Sequence, residues 1–170
     1  MKLSTSLSGV AGEYLVAAEL SRRGYVASLT LRNARGIDIL ASNAAASRSV
    51  GIQVKTGQGS RPGWPLSKAA EEYFADNLFY VFVNLNDGGQ PDFYVVPSKV
   101  VADSAREGFK RWVEAPGRSG RVHNRDNPMR MFDDWNLQSI RAQLENEGKP
   151  TNVADYRNRW DFLGLGDAAA

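Results

Sequence analysis

The sequence predicts an α/β fold: a core of element order αβββαβ around a central mixed sheet flanked by helices, followed by a mostly helical appendage. Three observations carry this. Apolar residues recur at helical spacing in segment 8–23, three short β-branched and aliphatic runs follow it, and segment 78–85 is continuously apolar. At 170 residues the chain is near the size of one domain. We therefore expect one core over 1–97 and a helical and irregular appendage over 98–170 packed on it.

In segment 8–23, Val10, Tyr14, Ala17, Ala18 and Leu20 lie at mixed threes and fours, the spacing of one buried helical face, and Gly24 ends the helix. Segments 25–31, 37–41 and 50–55 are separated by turn-forming Asn33, Gly36, Asn43 and Ser49 and read as a meander of strands. Segment 57–65 holds three glycines and two prolines, which predicts a loop. A short helix is expected over 67–75. The run 78–85 predicts a strand covered on both faces, paired as a hairpin with 92–96, which Pro97 closes. Ser98 is expected to cap a helix to Trp112. Segment 115–131 has no period, 135–146 and 155–163 read as helices, and the tail from Gly164 is expected to fray.

Composition narrows the chemistry. Hydrophobic residues make up 42% and charged residues 24%, the balance of a globular chain rather than a disordered one. There is no cysteine, so thiolate metal sites, disulfides and cysteine nucleophiles are excluded. A metal would be held by oxygen ligands or by the lone His123, which suits Mg²⁺ or Mn²⁺. No stretch reaches the roughly 18 apolar residues of a membrane span and no secretory leader is apparent, so a cytoplasmic location is the expectation. A net charge of +2 permits a nucleic-acid partner without demanding one.

Specific polar residues stand where a bland core pattern would not put them. Asp38 lies inside Gly36-Ile37-Asp38-Ile39-Leu40, and Gln53 and Lys55 alternate with Ile52 and Val54 on the next apolar run. Alternation sends Gln53 and Lys55 to one face of that strand, and a neighbouring strand could bring Asp38 beside them. A carboxylate, an amide and an ammonium held together are costly unless they satisfy one another or a metal.

Glu13 on the first helix, Asp38 on the second strand and Gln53-Val54-Lys55 on the third resemble the pattern of the PD-(D/E)XK nuclease superfamily, in its QxK form, over residues 8 to 96. The resemblance implies a restriction-endonuclease-like or Holliday-junction-resolvase-like core and a metal-dependent endonuclease acting on nucleic acid, most of all DNA. It implies Glu13, Asp38, Gln53 and the Val54 carbonyl as ligands of Mg²⁺ or Mn²⁺. Lys55 would orient the attacking water and stabilise the developing phosphate charge. Many members have a carboxylate where Gln53 stands, and an amide adds no negative charge to the site. The alternative is therefore a catalytically silent nucleic-acid-binding or protein-interaction module on the same fold.

Each residue alone also has an ordinary explanation. Glu13 suits a solvated helix surface, Asp38 an outward-facing edge, and Gln53 with Lys55 the solvent face of a strand. Their joint order favours a shared site. Around it, Arg35, Arg61 and Trp64 are candidates for nucleic-acid contact, Trp64 by stacking on a base. Packing onto the domain would explain Trp64 equally well. Arg118, Arg121, His123 and Arg125 form a candidate phosphate-binding strip, or else a solvated loop. The partners expected are thus DNA or another nucleic acid and no membrane, and a homodimer is compatible with the reading.

Overall fold

A computed structural model describes residues 2–31, 36–117 and 120–166. Helix α1 (Thr5–Arg22) begins at Ser4, whose hydroxyl accepts from the Leu7 N–H at 3.2 Å and satisfies one of the unpaired first-turn donors. Ser8, Gly12, Val16 and Leu20, four residues apart, form its buried stripe. Strands β1 (Val26–Leu29), β2 (Ile39–Ser42) and β3 (Ser49–Gly57) follow as the expected antiparallel meander. β3 then pairs in parallel with β5 (Leu78–Asn84), which pairs antiparallel with β6 (Asp92–Pro97). The sheet order is β1-β2-β3-β5-β6, a mixed sheet. All seven residues of β5 are buried, because both faces of the sheet are covered.

One face packs α1 against Ile52, Val54, Val81 and Val95, joined by the 3-10 turn Trp160–Leu163. The other face presents Tyr80, Phe82 and Tyr94 to helix α2 (Ser98–Glu114) through Val100, Val101 and Ala105. A two-stranded ribbon of β4 (Trp64–Ser67) and β7 (Met129–Phe132) lies on this second face as well, with α3 (Asp134–Leu137) and α4 (Arg141–Asn146) beyond it. The α/β class, with helices on both sides of a mixed sheet, is as predicted. Among the described residues no helix is long and apolar enough to cross a membrane.

Several expectations need correction. The loop after β3 ends at Gly63, because Trp64 is drawn into the core and starts β4. Its ring is 1% exposed among Phe82, Tyr94 and Phe132, and its Nε1–H donates to the Val83 carbonyl at 3.1 Å. Pro65 is tolerated because β4 is paired on one edge by β7 alone. The aperiodic stretch 115–131 accordingly ends in a strand. The helix expected over 67–75 is a single 3-10 turn, Lys68–Glu71. Ser98 is the first helical residue rather than the cap: its hydroxyl accepts from the Ala75 N–H at 3.1 Å and donates to the Ala75 carbonyl at 3.0 Å. Residues 155–163 do not form one helix. Arg157 bridges to Tyr94 and Asn158 takes φ 56°, which leaves separate 3-10 turns, Val153–Tyr156 and Trp160–Leu163.

Candidate active site

The site is organised by an irregularity at the start of β2. Ile39 is paired with Ile52, yet the N–H of Asp38 also donates to the Ile52 carbonyl, at 2.8 Å. Two residues thus oppose one, the pattern of a β-bulge, which breaks strict alternation and re-aims a side chain. Thr30 reinforces it: its N–H donates to the Asp38 carbonyl at 2.9 Å and its hydroxyl to the Ile37 carbonyl at 2.5 Å. Asp38 is turned toward the edge of β3, where its Oδ2 accepts the Val54 N–H at 2.7 Å. An ionised acceptor makes this a charge-assisted bond.

Val54 lies between Gln53 and Lys55, so the bond fixes the Asp38 carboxylate beside the strand that carries both. Gln53 and Lys55, each half-buried, line a cleft of about 510 Å³ with Gly36, Leu66, Ser67, Ala69, Ala70, Tyr73 and Tyr80. The β4 strand and the 3-10 turn after it supply the wall opposite β3. Burial first, and the Asp38 charge second, hold the Tyr73 phenol above its ordinary pKa. Tyr80 is pushed the same way by burial, then by Tyr73 and Asp38. The Asp38 carboxylate therefore acts electrostatically on the cleft although the lining does not include it.

Glu13 stands on the helix that packs on the other face of the sheet and is not among the residues that line the cleft. Gly12 touches Thr56: a Cβ there would overlap the Thr56 hydroxyl and lie 3.0 Å from its Cβ. This brings α1 onto β3 one residue past Lys55, with half-buried Glu13 next to the crossing point.

The donors fit a hydrated hard ion better than a closed cage. A strand residue's N–H and C=O leave by the same edge, so the Val54 carbonyl is on the edge that Asp38 occupies. Asp38, this carbonyl and the Gln53 amide are oxygen donors of low total charge, the donor type taken by Mg²⁺ or Mn²⁺ ions that keep several waters. Among the described residues no three His, Cys, Asp or Glu side chains gather as a metal cluster.

The outlying candidates divide. Arg61 is exposed in the loop between β3 and β4. Trp64 is corrected: a ring 1% exposed has no face to offer a base, and packing onto the domain accounts for it. Arg121 and Arg125 are exposed and His123 half-buried, its ring 4.0 Å from that of Trp112 on α2. They gather near the C-terminal end of α2 and do not line the cleft. Arg35 and Arg118 lie outside the described residues. Sequence reasoning missed Tyr73 and Tyr80. Tyr80 carried a signal, a phenol in an otherwise apolar strand; Tyr73 carried none.

No family model matches the chain, and no curated protein gives a significant match. Among solved structures it is similar to Hjc, a Holliday junction resolvase from Archaeoglobus fulgidus, at 15% identity and a TM-score of 0.45, over 84% of this chain and 97% of that one.

Proposed function

We propose that the protein is a metal-dependent phosphodiesterase, an endonuclease acting on nucleic acid and above all on DNA, with its chemistry at the β3 cleft. The observation that carries this reading is the Asp38 carboxylate bound to the Val54 N–H, between Gln53 and Lys55 on one strand. A core in which every other residue of β3 packs on α1 has no need of this arrangement, because a carbonyl would serve the Val54 N–H as well. Bound Mg²⁺ or Mn²⁺ would neutralise charge on the attacked phosphate and lower the pKa of a water. Asp38, Gln53 and the Val54 carbonyl would hold the ion, with Glu13 acting from α1 directly or through water. Lys55, from the cleft side of β3, would orient the attacking water and offset the charge that develops on the phosphate.

A second reading is a silent nucleic-acid-binding module, favoured by the neutral Gln53 and by the lack of a three-acid cluster among the described residues. Nicking assays on supercoiled plasmid, four-way junction and single-stranded DNA across a Mn²⁺ titration separate the two. Metal-dependent cutting lost in Asp38→Asn supports the nuclease. Binding without cutting at any metal concentration supports the silent module, and neither activity overturns both readings.

A further inference from the structure

The cleft has a polar group that the proposed metal and lysine roles leave unused. Tyr73 follows the 3-10 turn after β4 and lines the cleft beside Gln53 and Lys55. Its ring lies against Gly36, at φ +72°, where a Cβ would come within 2.6 Å of the ring carbons and 2.8 Å of the hydroxyl. The absence of a side chain at Gly36 therefore lets the phenol sit close to the segment that leads into Asp38. Among the polar lining groups, Tyr80 is 1% exposed and closed off by α2-side packing, whereas Tyr73 is half-buried, with part of its surface toward solvent.

We propose that Tyr73 contacts the substrate, its phenol O–H donating to a non-bridging oxygen of the phosphodiester held beside Lys55. The inference rests on the nuclease reading and extends it. A phosphodiester gains a second negative charge as water attacks, and a site with a neutral amide in place of a carboxylate is poorly furnished to hold a second cation. Fixed donors must then carry more of that charge. Lys55 supplies a cation and Tyr73 supplies a neutral donor whose orientation is set by packing on Gly36. An ordinary phenol is protonated at neutral pH, and hence a donor, and burial with the nearby Asp38 charge shifts Tyr73 further in that direction.

Tyr73→Phe tests this, because it keeps the ring on Gly36 and removes only the hydroxyl. Single-turnover cleavage at saturating enzyme is expected to slow by about 100- to 1,000-fold, the usual scale for loss of one transition-state donor. Mn²⁺ affinity and the thermal midpoint should stay at the parent's values, and DNA affinity in Ca²⁺ should fall far less than the cleavage rate. Cleavage at the parental rate overturns the inference and leaves the nuclease reading standing. A loss of Mn²⁺ affinity in step with the rate also overturns it, since Tyr73 would then be positioning the Asp38 segment. A parent inert on every substrate removes the nuclease reading, and this inference with it.

Discussion

The Asp38 carboxylate accepts the backbone N–H of Val54 at 2.7 Å, so one side chain both completes the edge of β3 and marks the proposed metal position. These roles separate by mutation. Asp38→Ala leaves the Val54 N–H without its acceptor and should cost about 1–3 kcal/mol in urea unfolding. Asp38→Asn keeps an acceptor oxygen and should lose less stability. Both should abolish cleavage and weaken Mn²⁺ binding. An asparagine variant that cuts at the parental rate would remove Asp38 from the site.

Gln53 shares the cleft with Lys55 on the strand whose Val54 N–H Asp38 holds. Gln53→Glu places a second negative oxygen donor there and should tighten Mn²⁺ binding with the fold intact. Calorimetric titration of both proteins measures it. Equal or weaker affinity would mean that position 53 does not face the ion.

What the sequence made legible follows a physical divide between local and distant causes. β5 could be read because continuous apolar character is a property of the strand itself, and Gln53 and Lys55 share a face by alternation alone. β4 could not be read. Its glycine- and proline-rich surroundings signal a loop, and Trp64 becomes strand only because Phe82, Phe132 and the Val83 carbonyl receive it. Its partner β7 lies more than sixty residues further on, and no local pattern announces the pairing. The bulge at Asp38 likewise depends on Thr30 and Ile52, on two other strands or their extensions. Alternation therefore brought Asp38 to the right neighbourhood for an incomplete reason. Tyr73 enters the cleft through the path of the chain after β4, which periodicity does not encode.

Lys55 offers a distinction between chemistry and affinity. If its ammonium meets charge that grows as the phosphate is attacked, Lys55→Ala should lower the single-turnover rate far more than it weakens DNA binding in Ca²⁺. The reverse pattern would be a binding defect with a shallower salt dependence and near-normal turnover at saturating DNA. That result would make Lys55 a backbone contact.

Gly12 and Thr56 set the distance between α1 and β3, and therefore the approach of Glu13. Gly12→Ala should destabilise the protein by about 1–3 kcal/mol through overpacking, reduced by up to about 1 kcal/mol of better helix propensity. Thr56→Ala removes the obstructing hydroxyl, a buried oxygen with no hydrogen-bond partner among the described residues, and should be mild alone. The double variant should recover most of the loss. Additive unfolding energies would show that the two residues do not meet.

Asp103 is a buried carboxylate held below its ordinary pKa, which links the stability of this fold to acid. It is 1% exposed on α2, where its carboxylate accepts from Lys99 at 2.7 and 2.6 Å, from Arg106 at 2.6 Å and from Gln143 of α4 at 3.0 Å. Burial alone would raise its pKa. The hydrogen bonds from Lys99, Gln143 and Arg106 outweigh that and hold it below the ordinary aspartate value. A carboxylate whose folded pKa is depressed binds its proton more readily in the unfolded chain. Its stabilising contribution is then complete above the unfolded value of about 3.9 and is lost as pH falls from there through the folded pKa. Asp103→Asn should lower stability at neutral pH, because Lys99 and Arg106 lose their counter-charge. It should also flatten the fall in urea midpoint below about pH 4. Parent and variant curves that run parallel through the acid range would show that another carboxylate sets the acid limit.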